Sequence, residues 1–227
     1  MLCFGHRGAA GHAPENTLLS IRTALGLGVD WVEIDVQLVE GELLVFHDER
    51  LERTTNGSGR LAEHDFASLR RLDAGQGERI PLLAEVSGLI DRRVGLNIEL
   101  KGAGTVAPTV RHLEELQRSG WPSERLLVSS FNHRWLAELQ LMLPWVRLGA
   151  LLVGLPLDDA ACAVRLGAWS VHPCREFLDG RFVADAHRRG LRVIPFTVNA
   201  ADELRCMREL GVDGVFSDYP ELVSAGR

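Results

Sequence analysis

Four short motifs in the first half of this chain carry residue types suited to metal-assisted phosphoryl chemistry. They are His6-Arg7, Glu33-Ile-Asp35, His47-Asp48 and Glu99-Leu-Lys101. Each lies within or directly after a short apolar run. Glu33 and Asp35 are two residues apart, as are Glu99 and Lys101, and on a strand that spacing points both members of a pair to one face. Ionised carboxylates gathered in one place repel each other and lose hydration, and a divalent cation relieves both costs. Oxygen-only ligands suit Mg²⁺, Ca²⁺ or Mn²⁺ better than zinc. Two histidines beside a phosphate suit a general acid and a general base. Arg7 and Lys101 would neutralise phosphoryl oxygens.

Taken singly, each motif has a cheaper reading. A Glu-x-Asp is usually a solvated strand face, and a Glu-x-Lys is usually a surface pair of little energetic weight. Their co-occurrence at the same end of consecutive strands is what makes them one site.

The elements that must position these residues alternate. Strands are expected at Leu2–Phe4, Trp31–Leu38, Leu43–Phe46, Val94–Leu100, Leu126–Ser130, Val146–Leu152, Trp169–His172, Leu191–Val198 and Gly214–Ser217. Helical spacing appears near 16–27, 83–92, 105–119, 133–142, 158–166, 179–189 and 201–210. The third of these has Val106, Val110, Leu113 and Leu116 on one stripe. Several strands are apolar on both faces, as a buried parallel sheet requires. About eight such units predict an α/β fold, a (β/α)8 TIM barrel with its catalytic groups at the carboxyl ends of the strands. An open Rossmann-like sheet is the runner-up, weakened because no GxGxxG follows the first strand. Residues 49–82 are polar and interrupt the rhythm after the second strand. They read as a small insertion over the mouth within a single domain spanning 1–227.

Composition narrows the classes. A 46% hydrophobic content suffices for one sizeable core, and a formal charge of −6 argues against a nucleic-acid surface. Cys3, Cys162, Cys174 and Cys206 show no CxxC pairing and read as buried free thiols. No apolar run reaches membrane-helix length and no charged signal start is present, so a cytoplasmic protein is expected. His172, before Pro173 at a strand end, is a candidate for the substrate pocket. His12, His64, His112, His133 and His187 read as surface histidines.

With these residues assembled, the chain resembles the glycerophosphodiester phosphodiesterase family nearly end to end. The resemblance is carried by Gly5-His-Arg-Gly8, Ala13-Pro-Glu-Asn-Thr17, Val32-Glu-Ile-Asp-Val36, Val45-Phe-His-Asp48 and Arg53-Thr-Thr-Asn-Gly-Ser-Gly59. It continues through Asn97-Ile-Glu-Leu-Lys101, Ser129-Ser-Phe131, Phe196-Thr-Val-Asn199 and Gly211-Val-Asp-Gly-Val-Phe-Ser-Asp-Tyr-Pro220. It implies a TIM barrel with an insertion after the second strand, one divalent cation (commonly Mg²⁺ or Ca²⁺), and hydrolysis of small glycerophosphodiesters to sn-glycerol 3-phosphate and an alcohol. By motif, His6 and His47 look like the acid–base pair, Glu33, Asp35 and Glu99 like the metal ligands, and Arg7 and Lys101 like phosphate contacts. Glu15 and Asn16 resemble residues that shape the mouth, although Asn16 equally suits a helix N-cap. Ser130 and Asn199 are pocket or structural residues on the same grounds. Phe196 stands where the family often has Trp, and Ser217 where it often has Thr, which leaves the pocket shape open. Which histidine is the acid, and whether water or the glycerol 2-hydroxyl attacks first, also stay open. An alternative on the same barrel is phospholipase D-like cleavage of lysophospholipid or sphingolipid head groups, which would call for an apolar rim or lid.

Overall fold

In the computed structural model, which describes residues 1–224, strands and helices alternate from the first residues onward. The strands are β1 (Leu2–Gly5), β2 (Trp31–Val39), β3 (Glu42–Val45), β4 (Gly95–Leu100), β5 (Leu126–Ser130), β6 (Arg147–Leu152), β7 (Ser170–Pro173), β8 (Arg192–Val193) and β9 (Gly214–Ser217). The helices are α1 (Leu18–Gly26), α2 (Phe66–Leu69), α3 (Leu83–Ile90), α4 (Val106–Arg118), α5 (His133–Met142), α6 (Ala161–Arg165), α7 (Gly180–Arg188), α8 (Ala201–Leu210) and α9 (Pro220–Ser224). Strand order is β8-β7-β6-β5-β4-β2-β1-β9, all parallel, with β3 antiparallel on β2.

The ring closes between β8 and β9 through irregular backbone. Asp213 N–H donates to the Val193 carbonyl (2.9 Å), Phe216 N–H to Pro195 (3.0 Å) and Val198 N–H to Phe216 (2.9 Å). The expected strand Leu191–Val198 is therefore regular only over Arg192–Val193. Pro195 has no N–H to donate, so the ladder cannot continue evenly through it. The result is the expected TIM barrel.

Alternation along the strands separates two cores. On β2 and β4, Val32, Ile34, Val36, Leu96, Ile98 and Leu100 face the helices and pack with Val86, Ile90, Val110 and Leu113. The opposite face of the same strands carries Trp31, Glu33, Asp35, Gly95, Asn97 and Glu99 into the barrel. The bottom of the barrel is sealed by Phe4, Trp31, Leu127, Ile194 and Phe216. Phe4 stacks on Trp31 with ring centroids 5.3 Å apart and touches Phe216 at 4.8 Å. The polar layer sits above this plug, so the barrel is a packed core that opens at its carboxyl end.

Residues 46–82 build a core of their own. Leu51, Leu61, Leu69, Ala74 and Ile80 pack with Phe46, Leu44 and Val39, flanked by Phe66 and Leu72. This apolar cluster faces inward and forms no lid. Among the described residues no helix is long and apolar enough to cross a membrane. The four cysteines form no disulfide, but only Cys3 is buried and Cys206 is exposed, because α8 turns it away from the barrel. His12 and His187 are exposed as expected. His64, His112 and His133 are half-buried, bonded to the Ser58 carbonyl, the Ser87 hydroxyl and the Leu151 carbonyl.

His172 does not line the pocket. Strand alternation puts it deep inside the barrel, 0 % exposed, edge-on to Phe216 and over Gly149, where a Cβ would strike its ring. Its Nε2 meets Ser170 Oγ at 2.7 Å, while Nδ1 has no partner. Burial alone pushes its pKa down to about 3 from the ordinary 6.5. Between those values the unfolded chain binds a proton that the folded one refuses, so stability present above pH 6.5 is lost as pH falls toward 3. The group's share is on the order of 4 kcal/mol. Urea unfolding of His172→Gln at pH 7 and pH 4 should show a flatter pH dependence than wild type. An unchanged slope would mean that another group governs the acid limb.

Candidate active site

The carboxyl ends of the barrel strands enclose a cavity of about 270 Å³. One wall is polar, with His6, Arg7, Glu33, His47, Asn97, Glu99, Lys101 and Ser129. The other is apolar, with Phe131, Leu151, Phe196 and Phe216. The register of β2, β4 and β5 creates the polar wall, since Asp35 lies beside Glu99 and Glu99 beside Ser129.

Glu33, Asp35 and Glu99 each place one carboxylate oxygen within 4.8 Å of the others. Their exposures are 2, 1 and 9 %, so solvent cannot screen the repulsion. Burial, then the charges of Asp35 and Glu99, pushes the Glu33 pKa well above the ordinary carboxylate range. Burial and Asp35 raise Glu99 in the same way. Glu33 Oε1 has no hydrogen-bond partner. A close set of buried, hard oxygen donors with an unused lone pair fits a divalent cation of the Mg²⁺ or Ca²⁺ type.

The loop after β1 brings cations to this cluster. Arg7 has φ +53 and Gly8 φ +88, and a Cβ on Gly8 would meet Ser20, so glycine is required at that turn. The turn aims the Arg7 backbone N–H at Glu33 Oε2 (2.9 Å) and sets its Nε 3.4 Å from Asp35 Oδ2. Its Nη1 donates to Glu15 Oε1 at 2.7 Å. Burial opposes the charge on Arg7, but Asp35, Glu15 and Glu33 outweigh it and raise its pKa. Lys101 Nζ lies 3.0 Å from Glu99 Oε1 and 3.1 Å from His47 Nε2.

Each mouth histidine leans on an aspartate. His6 Nδ1 is 2.7 Å from Asp218 Oδ1, and His47 Nδ1 is 2.5 Å from Asp48 Oδ1. Such a pairing places the proton on Nδ1 and makes Nε2 the accepting nitrogen, which in His47 meets Lys101 Nζ. Asp218 is oriented by Asn199, whose Nδ2 donates at 2.5 Å and whose Oδ1 accepts from the Asp218 N–H at 2.9 Å. Asn199 thus works through Asp218. Burial lowers the pKa of His47, against the opposing charge of Asp35.

The remaining expected residues divide. Asn16 is buried, with its Nδ2 donating to Asp35 Oδ2 at 2.9 Å, and Thr17 takes the N-cap of α1 instead. Ser130 Oγ donates to the Leu100 carbonyl and is structural, whereas its neighbour Ser129 faces the cavity. Phe196 lines the apolar wall, edge-on to Phe131 at 5.7 Å. Sequence reasoning gave no role to Asp48, Asp218, Arg53, Asn97 or Ser129. The two aspartates sit in quoted motifs, and the signal was a histidine needing an orienting acid. Asn97 and Ser129 were readable from alternation, as inward neighbours of Glu99. Both side-chain polar atoms of Asn97 and the Ser129 hydroxyl are buried and unpartnered, and both residues line the cavity.

A family model described as the glycerophosphoryl diester phosphodiesterase family matches residues 6–222. The chain belongs to this family. A glycerophosphodiester phosphodiesterase of Caldanaerobacter subterraneus is 35% identical, with 97% of this chain and 95% of that protein covered. One from Bacillus altitudinis is also 35% identical, covering 96% and 94%. An Oleispira antarctica phosphodiesterase, solved in complex with the product sn-glycerol-3-phosphate, superposes with a TM-score of 0.91 at 35% identity, over 99% and 96% of the two chains. The phosphodiesterase family is thus matched in sequence and fold together.

Proposed function

We propose that this chain is a metal-dependent phosphodiesterase that hydrolyses small glycerophosphodiesters to sn-glycerol 3-phosphate and an alcohol. One observation carries the reading: two aspartate-held histidines flank a buried cluster of three carboxylates in one cavity. The name of the Caldanaerobacter relative and the product bound by the Oleispira enzyme support it.

Glu33, Asp35 and Glu99 would hold one divalent cation, Mg²⁺ or Ca²⁺ with Mn²⁺ as a substitute, which supplies Lewis-acid stabilisation of phosphoryl charge. Arg7 and Lys101 contact phosphoryl oxygens. One of His6 and His47 takes a proton from the nucleophile as its oxygen bonds to phosphorus, and the other protonates the departing alkoxide oxygen as its bond to phosphorus breaks; the nucleophile is water, or the glycerol 2-hydroxyl through a cyclic phosphate that water then opens. Glu15 and Asn16 hold Arg7 and Asp35 in place. Asn97 and Ser129 offer hydrogen bonds to the glycerol hydroxyls. Residues 1–227 act as one catalytic domain, with the insertion at 49–82, in the cytoplasm.

The test is turnover of a panel of glycerophosphodiesters after EDTA treatment, then with Mg²⁺, Ca²⁺ or Mn²⁺ restored. Glycerol 3-phosphate release is expected to vanish and return. Silence with every ion and every diester contradicts the reading.

A second reading has one observation in its favour. Phe131, Val153, Leu157 and Phe177 are exposed on loops that follow β5, β6 and β7, beside the apolar wall. The acyl chain that a lysophospholipid carries on its glycerol would suit that rim. Faster release of head group from lysophospholipid vesicles than from glycerophosphocholine would favour it.

A further inference from the structure

Arg53 belongs to the insertion and does not line the catalytic cavity. Its guanidinium nevertheless makes the densest set of contacts near it. Nε and Nη2 donate to the two oxygens of Asp48 at 2.6 and 2.9 Å, and Nη1 and Nη2 to the two oxygens of Glu15 at 2.6 and 2.7 Å. Both carboxylates are shared with the site. Asp48 Oδ1 also meets His47 Nδ1 at 2.5 Å, and Glu15 Oε1 also meets Arg7 Nη1 at 2.7 Å.

We propose that Arg53 is a positioning residue that locks the two charged arms of the active site together, His47 through Asp48 and Arg7 through Glu15. The inference rests on the roles given to His47 and Arg7 above. A carboxylate turns freely about its last bond, and a forked donor on both oxygens fixes its plane. With Arg53 in place, Asp48 presents one defined edge to His47, and Glu15 one defined edge to Arg7. A lysine could supply the charge but not the fork.

The backbone under Arg53 is itself held. Leu51 is fully buried in the insertion core, and the Thr55 N–H returns to its carbonyl at 3.0 Å. Asn56 N–H donates to the Asp73 carbonyl and Asp73 N–H to Asn56 Oδ1, both at 3.0 Å. The insertion therefore acts as a rigid mount for one guanidinium. Arg53 is about half exposed, so its ion pairs contribute little to global stability. A positioning role and a folding role thus separate in experiment.

Steady-state kinetics and thermal unfolding of Arg53→Ala, Arg53→Lys, His47→Ala and, as a control on the same insertion, Arg60→Ala test the proposal. Arg53→Ala is expected to lose about 10–100-fold in kcat, the usual loss for a residue that orients a reacting group. Its Tm should shift by less than about 4 °C. Millimolar guanidinium should restore part of that kcat where equal sodium chloride does not. Arg53→Lys should stay impaired, and Arg60→Ala should match wild type. The proposal is overturned if Arg53→Ala or Arg53→Lys keeps kcat within twofold. It is also overturned if lost activity follows lost Tm without guanidinium rescue. If His47→Ala turns over like wild type, the underlying reading of the site has failed instead.

Discussion

Replacing His47 by alanine is expected to lower kcat by about 10²–10⁴-fold, the usual worth of a positioned general acid or base. His6→Ala should lose a comparable amount. Both rings sit at the cavity, and both have Nδ1 committed to an aspartate, so Nε2 is the working atom. Neither is part of the plug that seals the barrel. The variants should therefore keep near-wild-type Tm, and the loss should appear in kcat rather than in folded fraction. Adding imidazole to His47→Ala offers a direct check, because a diffusible acid or base can occupy the vacated space. If both variants keep turnover within tenfold of wild type, the acid–base assignment is wrong.

Glu33→Gln should have two effects of opposite sign. Turnover should fall about 10³-fold, because loss of one ligand weakens several kcal/mol of phosphoryl charge stabilisation, at tenfold per 1.36 kcal/mol. The metal-free protein should become more stable. Without a cation, Glu33, Asp35 and Glu99 repel one another out of reach of solvent, and burial already pushes Glu33 toward its neutral form. Glutamine removes one of those charges and keeps the shape. A gain of about 1 kcal/mol corresponds to a Tm rise of roughly 2–4 °C for a protein of this size. Scanning calorimetry in EDTA, then with Mg²⁺ or Ca²⁺, reads both parts. Wild type should gain Tm on adding the ion, and Glu33→Gln should gain less. A Tm in EDTA below that of wild type would show that Glu33 is stabilised as an anion by Arg7 and needs no cation.

Much of the barrel was legible because its signals are local. The apolar runs of β2, β4 and β5 stand out against the stripe Val106, Val110, Leu113 and Leu116, which is buried in α4 as its spacing requires. Two-residue spacing paired Glu33 with Asp35 and Glu99 with Lys101; the three carboxylates share the inner face, and Lys101 Nζ lies 3.0 Å from Glu99. Where local rules misled, a long-range contact decided. Asn16 reads as an N-cap until Asp35 is brought to it from a neighbouring strand. His172 reads as a mouth residue because it ends a strand. Depth inside a barrel depends on the stagger between strands, and no single strand records that.

The sequence by itself named the candidate groups: Glu33, Asp35 and Glu99 at strand spacing, with His6, Arg7, His47 and Lys101 just past strand ends. Period-two geometry suffices for the three carboxylates, which alternation sends inward. Tertiary structure alone decided who holds them. Asp218 reaches His6 across 212 residues, and Arg53 reaches Glu15 across 38. Such partnerships arise from barrel closure and from the seat of the insertion, and neither leaves a periodicity in the chain. A sequence names the groups able to react, and only the closed fold fixes their orientation.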